Sequence, residues 1–67
     1  MKINWPRVIL RLRAKLNLSQ EGLAKLMGVS LASVSRWERG ENEPTAIAKV
    51  KLEDLLKIND IEVEEIN

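Results

Sequence analysis

The side chains of this chain that could carry chemistry are almost all charged. Its 67 residues include 11 Lys and Arg and 10 Asp and Glu, but no cysteine and no histidine. The sequence therefore lacks thiol nucleophiles, disulfides and cysteine–zinc sites, and it lacks the commonest metal ligand and general base. We expect a binding protein with no metal and no cofactor, and the composition nearly excludes an enzyme.

Charge is divided unevenly along the chain. Residues 1–40 carry eight basic and two acidic side chains, whereas residues 41–67 carry three basic and eight acidic ones. A basic front half is the electrostatic footprint of a surface that binds a polyanion. Two halves that merely attract each other would show the same distribution, so charge alone leaves both interpretations open.

The length of the chain allows one small domain, in which only about 60% of the unfolded chain's surface becomes buried. The composition, 45% hydrophobic and 31% charged, is typical of a globular protein rather than a disordered one. No apolar run approaches the roughly 20 residues that cross a bilayer, and no signal-peptide pattern opens the chain. We therefore expect a cytoplasmic protein.

Glycines, prolines and capping residues divide the chain into four predicted helices. Their approximate bounds are residues 5–16, 20–27, 31–39 and 45–58. The signals that begin and end them are Asn4, Pro6, Ser19, Gly28, Ser30, Gly40 and Pro44. Residues 59–67 are predicted as an acidic tail that forms either a short strand or a frayed end.

Apolar residues recur at helical spacing and indicate which helix faces are buried. In the first helix these residues are Val8, Ile9, Leu12 and Leu16. In the third helix Val34 and Trp37 point inward, and the other face carries Leu31, Ala32, Ser35, Arg36 and Arg39. The fourth helix has an apolar stripe wider than one small domain usually needs, so part of it could contact a second copy of the chain.

The connection between the second and third helices spans only three residues, from Gly28 to Ser30. So short a turn forces the two helices to cross steeply, and the second of the pair then protrudes. Ala24 is small where the two helices must approach each other. The sequence therefore predicts an all-α, compact four-helix domain over residues 1–58, with a helix-turn-helix at about residues 19–39.

An ordered set of residues surrounds this helix pair: Leu18-Ser19-Gln20-Glu21, Leu23-Ala24, Gly28-Val29-Ser30, Val34-Ser35, Trp37-Glu38-Arg39-Gly40 and Pro44. With this set the chain resembles the Cro/phage-repressor-like helix-turn-helix domains, also called the XRE family. The resemblance covers about residues 8–58 and implies a lambda-repressor-like fold, in which a fifth helix often follows. Gly22 departs from the family pattern, where a longer helix-forming residue is usual.

The resemblance implies that the third helix inserts its N-terminal half into the major groove of DNA. It assigns base contacts to Leu31, Ala32, Ser35 and Arg36. It assigns phosphate contacts to Gln20, Ser30, Arg39, Asn42 and, with part of its guanidinium, Arg13. It also implies a structural ion pair between Arg13 and Glu38 that fixes the pose of the third helix.

Several of these residues also have a simpler interpretation. Arg36 could be a solvated surface arginine, and Leu31 could be exposed incidentally at the edge of the core. Asn42 suits a turn at least as well as a phosphate contact.

In function, the resemblance implies a sequence-specific regulator that binds double-stranded DNA, most simply a repressor acting as a homodimer on an inverted repeat. It would be encoded by a bacterium or phage and would act at the nucleoid. One alternative is an antitoxin-type autorepressor. The other is a helix-turn-helix module that does not read DNA and binds a protein partner through helix 45–58, and an Arg36 substitution would separate it from the DNA-binding forms.

Overall fold

A computed structural model describes residues 2–63, 65 and 66 of the chain. In chain order its elements are β1 (Lys2–Ile3), α1 (Trp5–Leu16), α2 (Gln20–Met27), α3 (Leu31–Arg39), α4 (Ala46–Ile58) and β2 (Glu65–Ile66). The predicted all-α, four-helix class is confirmed, and no fifth helix occurs among the described residues. None of the helices in this part of the chain is long and apolar enough to cross a membrane.

The first three helices begin where their capping residues predict. The side chains of Asn4, Ser19 and Ser30 each accept a hydrogen bond from the backbone N–H three residues on, which satisfies a donor that the helix itself leaves unpaired. At the other ends of α2 and α3, Gly28 and Gly40 adopt positive φ values of 71° and 74°. Glycine tolerates this left-handed conformation without a steric penalty, so both helices end there.

The fourth helix begins one residue later than predicted. Thr45 is not its first residue but its N-cap, with an extended ψ of 166° and a side-chain oxygen that accepts from the Ala48 N–H at 3.3 Å. Pro44, expected to open the helix, lies just before this cap and is buried. A proline disfavours helical geometry in the residue before it and not after it, so the hydroxyl of Thr45 decides where α4 starts.

The core is apolar and draws on all four helices. Its buried members are Trp5, Val8, Ile9, Leu12, Leu23, Ala24, Met27, Val34, Trp37, Ala48, Leu52 and Leu56. Helix α3 packs against both α1 and α2, and Leu16 covers the edge of the core. Among the described residues no charged side chain is fully buried, so the core depends on apolar packing.

The two ends of the described chain are joined by a short antiparallel strand pair. Lys2 pairs with Ile66 and Ile3 with Glu65, which gives β1 and β2 two residues each. Ile61 also packs against the core. The predicted tail 59–67 thus contributes a strand and one apolar contact to the domain, while residues 64 and 67 lie outside the described residues.

Candidate nucleic-acid interface

Helix α3 is divided into a buried face and an open face. Val34 and Trp37 are buried in the core, as the helical spacing predicted. On the outer side Leu31 is 48% exposed, and Ala32 and Arg36 are exposed with it. The residues predicted to contact bases therefore lie on a surface that nothing in the described chain covers, with half-buried Ser35 beside them.

Helices α2 and α3 pack closely against each other because a small residue and a tight turn lie at their junction. Ala24 is buried with 3% of its surface exposed, and its small side chain lets the two helices pack together. The turn passes through Gly28 in the left-handed conformation, and the backbone N–H of Val29 donates to the Ala24 carbonyl oxygen at 3.0 Å. The next residue, Ser30, already caps α3, so only three residues connect the two helices.

A half-buried polar cluster of Arg13, Gln20 and Glu38 ties α1, α2 and α3 together. The Glu38 carboxylate accepts from Nε and Nη2 of Arg13 at 2.7 and 3.0 Å, and from Nε2 of Gln20 at 3.0 Å. Nη1 of Arg13 donates to the Leu18 carbonyl oxygen at 3.2 Å, at the start of the turn into α2. The two residues predicted as an ion pair are thus in contact through two parallel hydrogen bonds, a geometry that fixes orientation as well as distance.

The cluster shifts the titration of both charged groups. Burial by itself raises the pKa of Glu38, but the hydrogen bonds from Arg13 and Gln20 and the charge of Arg13 outweigh it, so the pKa lies below its ordinary value. The hydrogen bond to Glu38 raises the pKa of Arg13, against a smaller opposing effect of burial. With side chains 21% and 8% exposed, Arg13 and Glu38 both remain charged at neutral pH.

A second polar group lies at the C-terminal end of α3. Arg39 donates from Nη1 to the Ser35 Oγ at 2.6 Å and forms an ion pair with Glu41 through its Nε. Two predicted DNA contacts, Ser35 and Arg39, are therefore bonded to each other. The Arg39 and Glu41 side chains are both more than half exposed, so solvent screens their attraction.

The remaining predicted contacts are Ser30 and Asn42. The Ser30 hydroxyl caps α3 and shares a 2.9 Å hydrogen bond with the Ser33 hydroxyl. Asn42 is exposed in the loop between α3 and α4, beside a groove that Pro6 and Gly40 also line. Asn42 thus lies apart from the open face of α3, whereas Ser30 lies at its leading end.

Two hydrogen bonds of this region were not predicted from the sequence. One is the bond from Gln20 to Glu38, since Gln20 was assigned to phosphate alone. The other joins the ammonium of Lys51 in α4 to the Met27 carbonyl oxygen at 3.0 Å, at the C-terminal end of α2. At 100° per residue Lys51 falls within the arc of the apolar residues of α4, and a charge at that position is the signal from which the bond could have been predicted.

A short helix, a three-residue turn and a second helix that packs on the first and has an open outer face define a helix-turn-helix domain. A family model for helix-turn-helix proteins matches residues 9–63, and the chain belongs to this family. The predicted resemblance to the Cro/phage-repressor type is thereby confirmed.

Two curated relatives each align with about half of the chain. Repressor protein C2 of Salmonella phage P22 is 50% identical over 32 residues, which are 48% of this chain and 15% of that protein. The HTH-type transcriptional regulator DicA of Escherichia coli (strain K12) is 52% identical over 33 residues, which are 49% of this chain and 24% of that protein. No solved structure matches the chain. The aligned segment is therefore less than a quarter of each relative's length.

Proposed function

We propose that this chain is a sequence-specific, double-stranded-DNA-binding regulator of transcription, and specifically a repressor. The observation that carries the proposal is the open face of α3, where Leu31, Ala32 and Arg36 are exposed while Val34 and Trp37 anchor the helix. The relatives support it, since one is named a repressor and the other a transcriptional regulator. The proposed role is binding and not catalysis, and it places the protein in the cytoplasm, where bacterial DNA is accessible.

In this proposal the exposed face of α3 enters the major groove and reads base edges. Arg36 is assigned to guanine, because a guanidinium can bond O6 and N7 of guanine together, with roughly 1–3 kcal/mol of discrimination. Leu31 and Ala32 cannot form side-chain hydrogen bonds, and we assign them to thymine methyl groups. Because each copy has so few side chains that contact bases, specificity also depends on DNA shape and on the spacing of two copies.

Phosphate contacts position the helix without reading sequence. Gln20 retains a role here because its amide nitrogen carries two hydrogens, and the bond to Glu38 uses one of them. Arg13 likewise bonds through three of its five N–H groups and remains 21% exposed. The unpaired backbone N–H groups at the start of α2 favour an anion at the same place. We assign Ser30, Arg39 and Asn42 to the flanks of the groove.

One copy offers too few base contacts for tight selective binding, so we propose a homodimer on an inverted repeat. Two reading helices about 34–36 Å apart would then occupy successive turns of the major groove. The symmetry of the protein would be mirrored in the DNA site.

Selection from a random duplex pool at near-physiological salt, followed by sequencing, tests the proposal. We expect an enriched inverted repeat with guanine preferred at one position of each half-site. Arg36→Ala should relax that one position and lower affinity, whereas Lys57→Ala removes the same charge from α4 and should leave the preferred sequence unchanged. A pool without enrichment, bound only at low salt, would contradict sequence-specific binding.

A protein-interaction module is the second candidate function. The observation that favours it is the exposure of Ile47, Val50 and Ile58 on α4, at 74%, 60% and 78%. If this were the only function, Arg36→Ala would leave partner binding unaffected and duplex selection would return no motif.

A further inference from the structure

Helix α4 exposes one face that lies outside the apolar core. At 100° per residue, Ile47, Lys51, Asp54 and Ile58 fall within an arc of about 60°, beside the stripe that enters the core. The two isoleucines are 74% and 78% exposed. Ile47 and Ile58 thus place one exposed aliphatic side chain at each end of this face.

The order of residues on this face is self-complementary. Lys51 and Asp54 are equally far from the midpoint of the face, between positions 52 and 53, and so are Ile47 and Ile58. Two copies of the helix can pack antiparallel about a two-fold axis through that midpoint. Each residue then contacts the residue of the other copy that lies equally far from the midpoint in the opposite direction along the sequence. Ile47 of one copy then meets Ile58 of the second, and Lys51 of one meets Asp54 of the second.

The charges at the centre of the face are available for such a contact. The side chain of Asp54 is exposed and makes no hydrogen bond or ion pair with any described residue of its own chain. Lys51 uses one of its three N–H groups on the Met27 carbonyl oxygen and keeps two. That bond holds the ammonium in place, so a carboxylate from a second copy would meet a partly ordered cation.

We propose that this face of α4, comprising Ile47, Lys51, Asp54 and Ile58, binds a second copy of the chain in antiparallel register. The proposal rests on the homodimer of the proposed function and adds its contact surface. None of the residues assigned to DNA belongs to this face, so DNA and the second copy do not compete for side chains. The two-fold axis of the pair also suits an inverted repeat.

The proposed interface is small. Helix α4 has 13 residues, and at about 1.5 Å per residue one face about 20 Å long buries less than the roughly 800 Å² per partner of a standard stable interface. We therefore expect reversible association, with a dissociation constant between about 1 μM and 1 mM. Both copies would be held more firmly when each also binds a half-site.

Sedimentation equilibrium of the chain without DNA tests the surface. Asp54→Lys places an ammonium opposite Lys51 at two symmetric points, and we expect it to weaken self-association at least about tenfold. Glu53→Lys makes the same charge change one position earlier, off the face, and should alter the dissociation constant by less than about twofold. Equal effects of the two variants would overturn the proposal, and so would a chain that stays monomeric near 1 mM.

A cysteine pair tests the register without introducing charge. Because the chain has no cysteine, copies carrying Ile47→Cys and copies carrying Ile58→Cys can be mixed and oxidised by air. The antiparallel register predicts a covalent dimer in the mixture and far less in either variant alone. Equal cross-linking in Ile47→Cys alone would overturn the register. Since neither experiment contains DNA, its failure would leave the proposed DNA binding standing, and a failed duplex selection would leave the dimer surface standing.

Discussion

The ammonium of Lys51 donates a hydrogen bond to the Met27 carbonyl oxygen at 3.0 Å, and this bond joins the middle of α4 to the C-terminal end of α2. The last carbonyl groups of a helix have no partner within the helix, and they form the negative end of its dipole. A cation there is favourable on both grounds. The bond also places a charged group next to the turn that leads into α3.

Lys51→Met should therefore destabilise the domain by about 1 kcal/mol, because methionine keeps most of the aliphatic stem but leaves the carbonyl without its charged donor. The measurement is chemical denaturation with the free energy of unfolding extrapolated to water. Lys57→Met removes the same charge from an exposed side chain of α4 that has no partner among the described residues, and it should change stability by less than about 0.5 kcal/mol. Similar losses in both variants would show that net charge, and not the bond, is responsible.

The Arg13–Glu38 contact predicts a non-additive pair of substitutions. Glu38→Gln leaves the Arg13 guanidinium without its carboxylate and should cost about 2 kcal/mol, somewhat less than a fully buried pair because Arg13 keeps some solvent. Adding Arg13→Met should cost less than the sum of the single changes, since the unpaired charge is then removed. A double-mutant cycle by denaturant unfolding measures this coupling. Full additivity would mean that the two side chains do not stabilise each other.

Stability should also fall in acid through Glu38. Its folded-state pKa lies below the ordinary value of 4.5, so the unfolded chain takes up this proton first as the pH falls. The stabilisation is complete above the unfolded pKa and is lost as the pH falls through the lowered folded one. We expect the stability difference between the wild type and Glu38→Gln to shrink from about pH 6 to about pH 3. A difference that stays constant over this range would exclude Glu38 as the titrating group.

Removing the charge of Glu41, the partner of Arg39, should raise the affinity for duplex DNA. Arg39 forms an exposed ion pair with Glu41 and donates a hydrogen bond to Ser35, so both interactions occupy N–H groups that the proposed function assigns to phosphate. Glu41→Gln should strengthen binding to the selected duplex about two- to fivefold at low salt and steepen the salt dependence. Glu43→Gln is the control, because it makes the same change in net charge two residues further along the chain. If both variants bind equally well, the gain reflects charge alone and the Arg39–Glu41 pair has no part in it.

Local chemistry predicted the helices well, because each boundary depends on one or two neighbouring residues. Ser19 and Ser30 cap their helices through the adjacent backbone and need no tertiary contact to do so. Gly28 supplies a positive φ that other residues avoid. The start of α4 was misplaced by one residue because Pro44 and Thr45 are both initiation signals, and sequence alone does not rank them.

The contacts of the candidate site were harder to predict, since they depend on which side chains meet across helices. Gln20 is 18 positions from Glu38 in sequence, and only the packed fold brings them together. Trp5 was not assigned to the core, although it falls at the centre of the apolar stripe of α1. The ion pair of Arg13 and Glu38 came from the family resemblance, which carries information about tertiary contacts that spacing alone does not.

The burial of both tryptophans has a practical consequence. Trp5 and Trp37 are 3% and 4% exposed, and the chain has no tyrosine or phenylalanine. Intrinsic fluorescence therefore comes from two indoles inside the core, one at the first turn of α1 and the other on the inner side of α3. Emission will shift to longer wavelength when either helix leaves the core, and Trp5→Phe and Trp37→Phe resolve the two signals. The molecule thus carries its own optical reporters of unfolding, one in α1 and one in α3.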